Sequence, residues 1–279
     1  VAEPDPSPWA TDLLRYIVES GGYVHPSIVV RADRTVRIQD TTLPSTSTSA
    51  TTIPRNTVLL TIPSLCCVTK QDCSERFVAA VEERASELTM DPGDLLLAFH
   101  LATIDDSKAS PYVRSFPPTT SYNSHPRRWS HAQQSSLLGG TSLLTKCRED
   151  AAALKRDYET VRAGYAQSHD DTPSSVPFPS YERFDDAFAA VSSRGFAGLG
   201  SDGSDAMVPL LDLLNHRRGT STHSSSNGKD VRYRRVAGTK GSQASIEVVA
   251  DRELSAGTIL HDTYGAKGNS QLLNRYGFC

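Results

Sequence analysis

Residues 209–219, ProLeuLeuAspLeuLeuAsnHisArgArgGly, carry an apolar run of Leu210, Leu211, Leu213 and Leu214 straight into Asn215 and His216. An amide and an imidazole are costly to bury unless something hydrogen-bonds them. Taken alone, the stretch also reads as Asn215 capping a short helix and His216 opening a surface loop. Arg194 after a helical segment, Tyr264 at the end of a strand and Asn269 in GlyAlaLysGlyAsnSer lie on either side of it. Each has an ordinary structural reading too, as a surface arginine, a strand end with a turn, and a helix cap. Their order along the chain is what points to chemistry.

Other chemistries lack their residues. The five cysteines, Cys66, Cys67, Cys73, Cys147 and Cys279, match no zinc-ligand spacing, so no metal site is expected. They read as free thiols of a reducing, intracellular compartment, with Cys66 and Cys67 as small buried hydrophobes. Ser, His and Asp are present, but no GlyXSerXGly elbow follows a strand. His100 sits inside an apolar helical run with no second ligand at helical spacing, which favours a core histidine. A net charge of -3 from 29 basic and 32 acidic residues gives no field to draw nucleic acid or anionic lipid. HisArgArg at 216–218 and ArgTyrArgArg at 232–235 are the exceptions, a small basic patch with an interleaved aromatic. No apolar stretch approaches the ~18 residues that span a bilayer, so no membrane partner is expected.

The elements that must position these residues alternate in texture. Residues 9–20 place Trp9, Leu13, Tyr16 and Ile17 on one helical face, stopped by Gly21-Gly22. Residues 28–30, 36–38 and 58–62 read as strands, broken by a Thr/Ser-rich loop at 41–52. Asp91-Pro92 is a cap with proline at the first helical position. Residues 144–166 form a charged amphipathic helix whose charges face solvent. A Pro/Ser linker at 171–180 ends in a capping serine, and Tyr181, Phe184, Phe188 and Val191 then make one helical stripe. Residues 231–235, 245–250 and 258–263 read as strands and 270–276 as a helical turn. The two ends therefore build one sheet system around an inserted helical centre, giving segments 1–69, 70–190 and 191–279. Length permits a sizeable core.

In this order the motifs resemble the SET-domain protein methyltransferases, in the branch typified by the Rubisco large-subunit lysine methyltransferase and the actin-histidine methyltransferase. The resemblance covers nearly the whole chain. It rests on ValLeuLeuThrIlePro at 58–63, SerProTyrValArgSerPhePro at 110–117 with Trp129 beyond, and SerArgGlyPhe at 193–196. Pro-Leu-x-Asp-x-x-Asn-His at 209–216, AlaGly and TyrGly at 256–257 and 264–265, Lys267 to Asn269 and TyrGlyPhe at 276–278 complete it. The Asn-His and Tyr-Gly pairs at this separation are its specific part.

The resemblance implies an α+β fold of short, β-clip-like, pseudoknotted sheets with a mainly α-helical insertion. It implies S-adenosylmethionine as cofactor and methyl transfer to a lysine of a non-histone protein. Asn215 and His216 would hold the adenine and methionine parts of the cofactor, Asp212 would order their loop, and Arg194 would meet the methionine carboxylate with its fork of donors. Tyr264, catalytic and cofactor-binding, would lie near the transferring methyl, positioning it and the nitrogen and offering an oxygen dipole to the positive charge there. Phe196 would wall the substrate channel, favouring lysine over histidine because an apolar wall suits an alkyl stem; Tyr233 and Phe278 would line the same channel.

Two departures set the alternatives. SerThrSerThrSerAla at 45–50 stands where the family has a GlyArgGly-type turn, removing permissive backbone and a charge near the cofactor. An inactive SET-like protein-binding module is therefore the alternative, alongside a protein-histidine methyltransferase. The chain starts at Val1 without methionine and stops at Cys279 directly after TyrGlyPhe. A trimmed or minimal form without the helical C-terminal substrate-binding domain is expected, as a monomer.

Overall fold

Four of the helices among the described residues begin at a side-chain cap. Asp91 accepts hydrogen bonds from the amides of Gly93 and Asp94, with Pro92 opening the helix. Ser110, Ser130 and Ser180 receive the amides of Val113, Gln133 and Arg183 in the same way, each satisfying a donor that has no partner inside its helix. The structure, a computed structural model, describes residues 7–40, 52–167, 176–218, 229–239 and 243–279. The 45–50 departure lies outside the described residues, as do most of the 41–52 loop and part of the 171–180 linker.

In chain order the helices are α1 (Pro8–Glu19), α2 (Glu75–Glu82), α3 (Pro92–Thr103), α4 (Pro111–Arg114), α5 (His131–Leu138), α6 (Ser142–Gln167), α7 (Tyr181–Arg194) and α8 (Asn269–Tyr276). The strands are β1 (Tyr23–Val24), β2 (Ile28–Val30), β3 (Val36–Ile38), β4 (Thr52–Ile53), β5 (Val58–Pro63), β6 (Val68–Thr69), β7 (Gly195–Phe196), β8 (Ala206–Met207), β9 (Asn215–His216), β10 (Val231–Val236), β11 (Ser245–Ala250), β12 (Leu254–Ser255) and β13 (His261–Asp262). The chain forms two units, each described by itself.

The first unit takes the described residues of Val1–Cys67, Ser110–Ser115 and Val208–Lys267. Its main sheet is antiparallel in the order β1-β5-β11-β10. β5 and β11 are its buried centre, rich in Val, Ile and Leu, with Ile246 opposite Ile62 and Val248 opposite Leu60. Thus residues far apart in sequence do share one sheet. Leu13 and Ile17 of α1 are fully buried, and Gly22 lets the chain turn back: a Cβ there would lie 2.5 Å from the carbonyl oxygen of Thr61. β2 pairs with β3, β4 with β12, and β13 runs parallel to β9. The expected strand at 258–263 is thus mostly irregular, and only His261–Asp262 form a ladder.

The second unit takes Val68–Ala109, Phe116–Met207 and Gly268–Cys279. Phe99 of α3 stacks on Phe184 of α7 at 4.3 Å between ring centres, and Phe77, Tyr158, Tyr165 and Phe178 surround them. Clustered aromatics bury large areas at favourable tilts, so the 181/184/188/191 stripe is core. A short sheet in the order β6-β8-β7 closes one side. The expectation that the charges of 144–166 all face solvent is corrected at Asp157. This residue is 2% exposed and accepts the amides of Thr89 and Met90, because the turn before α3 leaves donors that need an acceptor.

Candidate functional site

In the first unit the Asn-His stretch is neither helix cap nor surface loop, which corrects that reading. Leu210, fully buried, adopts φ 65°, a strained backbone for a branched side chain. It starts a 3-10 turn over Leu211–Leu213, after which Asn215–His216 become β9 beside β13, with Asn215 opposite His261 and His216 opposite Asp262. Asp212 in that turn is buried, and Tyr112 of α4 donates its hydroxyl to it at 3.1 Å. This bond ties the turn to α4.

His216 and Tyr264 are tied together. The Tyr264 amide donates to His216 Nδ1 at 3.0 Å, and the Tyr264 hydroxyl donates to the Leu214 carbonyl at 3.0 Å. The two rings lie 5.0 Å apart. An accepting Nδ1 places the ring proton on Nε2. Burial holds the His216 pKa below its usual value, in keeping with a neutral, accepting ring. Asn215 is exposed. Gly265 has φ 90°, and a Cβ there would meet nothing within 4 Å, so open space adjoins the Tyr-Gly backbone.

Behind β13 lies a polar hub that sequence reasoning missed. The Asp230 side chain is 0% exposed. It accepts Arg252 Nε at 2.7 Å, Arg217 Nη1 at 3.2 Å and the His261 amide at 2.9 Å, with His261 Nδ1 at 3.0 Å. Asp262 is also buried; desolvation raises its pKa, while the Thr263 amide, Lys229 and the Tyr233 hydroxyl oppose that shift. Tyr233, expected in a substrate channel, has its hydroxyl near enough to Asp262 to favour that carboxylate's charged form, and Lys229 Nζ lies 6.0 Å from the centre of its ring. The arginine clusters are likewise engaged: Arg217 with Asp230, Arg232 with Asn56 and Asp251, Arg234 with Glu247. Nothing local in the sequence marks Asp230, a single acid ahead of a strand.

In the second unit Arg194 is the last residue of α7, half-buried, its guanidinium 5.8 Å from the centre of the Phe116 ring. Phe196 follows in β7, half-buried. Phe278 is 40% exposed, with its ring 6.0 Å from that of Tyr276. Asn269 is the first residue of α8 rather than its cap, which is Gly268.

No protein-family model matches the chain. The chain is similar to human N-lysine methyltransferase SETD6, 23% identical over 233 residues that span 79% of this chain and 45% of the relative. It is 25% identical over 238 residues to the Atlantic salmon (Salmo salar) protein of that name, covering 81% and 48%. The chain thus spans about half the length of the curated relatives it matches. Among solved structures it resembles the SET domain of LSMT bound to lysine and AdoHcy, with TM-score 0.68 and 20% identity over 99% of this chain and 58% of that one. The same domain bound to methyl-lysine and AdoHcy gives 0.67 and 19%, over 98% and 57%. The α+β architecture described above is that of the SET domain.

Proposed function

We propose that this chain, which has the SET-domain fold in its LSMT-like form, is an S-adenosylmethionine-dependent methyltransferase acting on a lysine of a protein. The observation that carries this reading is the double tether of Tyr264, amide to His216 and hydroxyl to Leu214. A phenol held at both ends by a buried turn is a pre-aligned group, which is what an in-line transfer requires.

The residues present fit such a cofactor. In the first unit, exposed Asn215 offers amide donors and an acceptor and the open backbone at Gly265 admits close approach; in the second, Arg194 has the planar fork that suits a carboxylate. When bound, S-adenosylmethionine supplies a methyl group already activated by its sulfonium. The protein's own task is to hold the nitrogen in line, exclude water and favour the neutral amine. An unperturbed lysine, pKa about 10.4, is protonated at neutral pH, and apolar surroundings lower that value. Because the Tyr264 proton is committed to the Leu214 carbonyl, its oxygen faces a substrate as an acceptor. That suits positioning of positively polarised groups and does not suit a base.

Lysine is favoured over histidine by Phe196, whose apolar ring would leave an imidazole nitrogen unsatisfied, and both groups of relatives carry lysine in their descriptions. We propose an intracellular setting on the strength of five free thiols; no helix among the described residues is long and apolar enough to cross a membrane. The substitution at 45–50 favours one competing reading, a binding module without turnover. Calorimetric titration with S-adenosylmethionine separates them. The enzyme reading expects saturable heat that falls at least about tenfold in affinity in Asn215→Ala, the scale of a lost ligand hydrogen bond. No heat at millimolar cofactor would favour the binding module.

A further inference from the structure

In the second unit a cavity of about 260 Å³ opens among α3, α6, α7 and α8, and acids and bases of opposite charge face each other across it. Two of its cations are paired outside the question: Arg127 with Asp185, and Lys146 with Asp150. Arg275 of α8 is used twice. Its Nε donates to the Ser192 carbonyl at 3.0 Å, and its Nη2 lies 3.6 Å from Asp94 Oδ2 of α3. Ser192 belongs to the last turn of α7, two residues before Arg194. Asp94 reaches the same place, since a Cβ built on Gly195 would stand 3.8 Å from its Oδ1. Next along α8, Asn274 donates to Asp150 at 2.8 Å, so α8 is held at two neighbouring points.

We propose that Asp94 and Arg275 are a positioning pair that clamps α8 to the end of α7 and thereby sets the placement of Arg194 and Phe196. The proposal rests on the reading of Arg194 as the arginine that meets the cofactor's carboxylate. One donation to a carbonyl and an ion-pair contact with a carboxylate together orient a guanidinium between the two helices. Within the last turn of α7 the Ser192 and Ser193 hydroxyls donate back to Ala189 and Ala190 and the Gly195 amide to Val191, bonds that hold the turn to its own helix, whereas Arg275 and Asp94 tie it to α8 and α3. Stability does not account for the pair, because Asp94 is 8% exposed and a buried carboxylate costs more than an apolar residue of its size.

The clamp also makes the site pH-sensitive. Desolvation pushes the Asp94 pKa up to about 6, opposed by Arg275 and reinforced by Asp91 and Asp205. Asp91 faces it while capping α3, and Asp205 while accepting the Gly198 amide; Arg127, Lys146 and Asp150 are the other charges around the cavity. As pH falls through about 6 the carboxylate is neutralised, and Arg275 loses its counter-charge.

The test compares wild type, Asp94→Asn, Arg275→Ala and Arg275→Lys between pH 5 and 8 by two readouts. One is the dissociation constant for S-adenosylmethionine by calorimetry; the other is the hydrogen-exchange protection of amides 192–196 without cofactor. In wild type, both are expected to weaken below pH 6. In Asp94→Asn the affinity should be lower by about tenfold at pH 7.5 and independent of pH, the scale of one lost charge-assisted contact, with a melting midpoint no lower than that of wild type. Arg275→Lys should restore part of what Arg275→Ala loses. Protection at 192–196 that is the same in Asp94→Asn as in wild type, or that keeps its pH dependence, overturns the clamp. Absence of cofactor binding by wild type at every pH would instead remove the functional reading, and the exchange data would still decide the clamp.

Discussion

Asp230→Ala is the most informative perturbation of the first unit. Its carboxylate is fully buried, yet Arg217 and Arg252 keep side chains 44% and 39% exposed. Once released, both arginines return to water, so each ion pair contributes at most about 0.5 kcal/mol after solvent screening. The His261 amide has no such escape, and an unpaired donor there costs about 2 kcal/mol. The sum, about 3 kcal/mol, is at the lower edge of what breaking a buried charge pair costs. Spread over a domain of this size it lowers Tm by about 6 to 12 °C. Asp230→Asn keeps an oxygen for the His261 amide and should recover about half of that loss. The assay is thermal unfolding followed by circular dichroism at pH 7.5. Because β13 pairs with β9, cofactor affinity should fall with the melting temperature. A shift under about 2 °C in Asp230→Ala would refute the hub, since only rehydrated surface charges would then have been lost.

Other expectations follow from the same geometry. Tyr264→Phe removes the hydroxyl held by Leu214 while leaving its amide bond to His216; methyl transfer should fall about 100-fold with Tm within a degree or two of wild type, by initial-rate and melting measurements. Tyr112→Phe leaves the buried Asp212 carboxylate without the hydroxyl and should cost about 2 kcal/mol in urea unfolding. Gly277→Ala places a Cβ 2.3 Å from Ser124 Oγ at φ 78°, so a loss of about 2 kcal/mol or more is expected from strain and clash together. Burial lowers the pKa of His216 and brings that of His125 down to about 4, so the unfolded chain takes up these protons first. Stability from these groups is therefore present above about 6.5 and is lost as pH falls toward 4, which a pH series of unfolding midpoints checks.

What was legible in the sequence was what short segments decide. Asp91-Pro92, Ser180 and the 181/184/188/191 stripe announced α3 and α7 because caps and periodicity act within a few residues. That strands from the two ends share a sheet was legible from their apolar runs, although the pairing of β5 with β11 was not. The candidate site was legible as an ordered set of motifs, although its internal wiring was not. Asn215 and His216 looked like a cap and a loop because the strand that receives them, His261–Asp262, lies far along the chain and is too short to show alternation. Asp230, Asp157 and Asp94 escaped notice for one reason: an isolated acid carries no sign of whether distant donors will bury it.

Whether this chain moves a methyl group to lysine nitrogen is decided by incubating it with methyl-labelled S-adenosylmethionine and a protein lysate, hydrolysing the products and identifying the labelled amino acid. Label is expected in methylated lysine, transferred by wild type and sharply reduced in Asn215→Ala. Label in methylhistidine, undiminished transfer by Asn215→Ala, or no transfer by a protein that binds the cofactor would contradict that expectation.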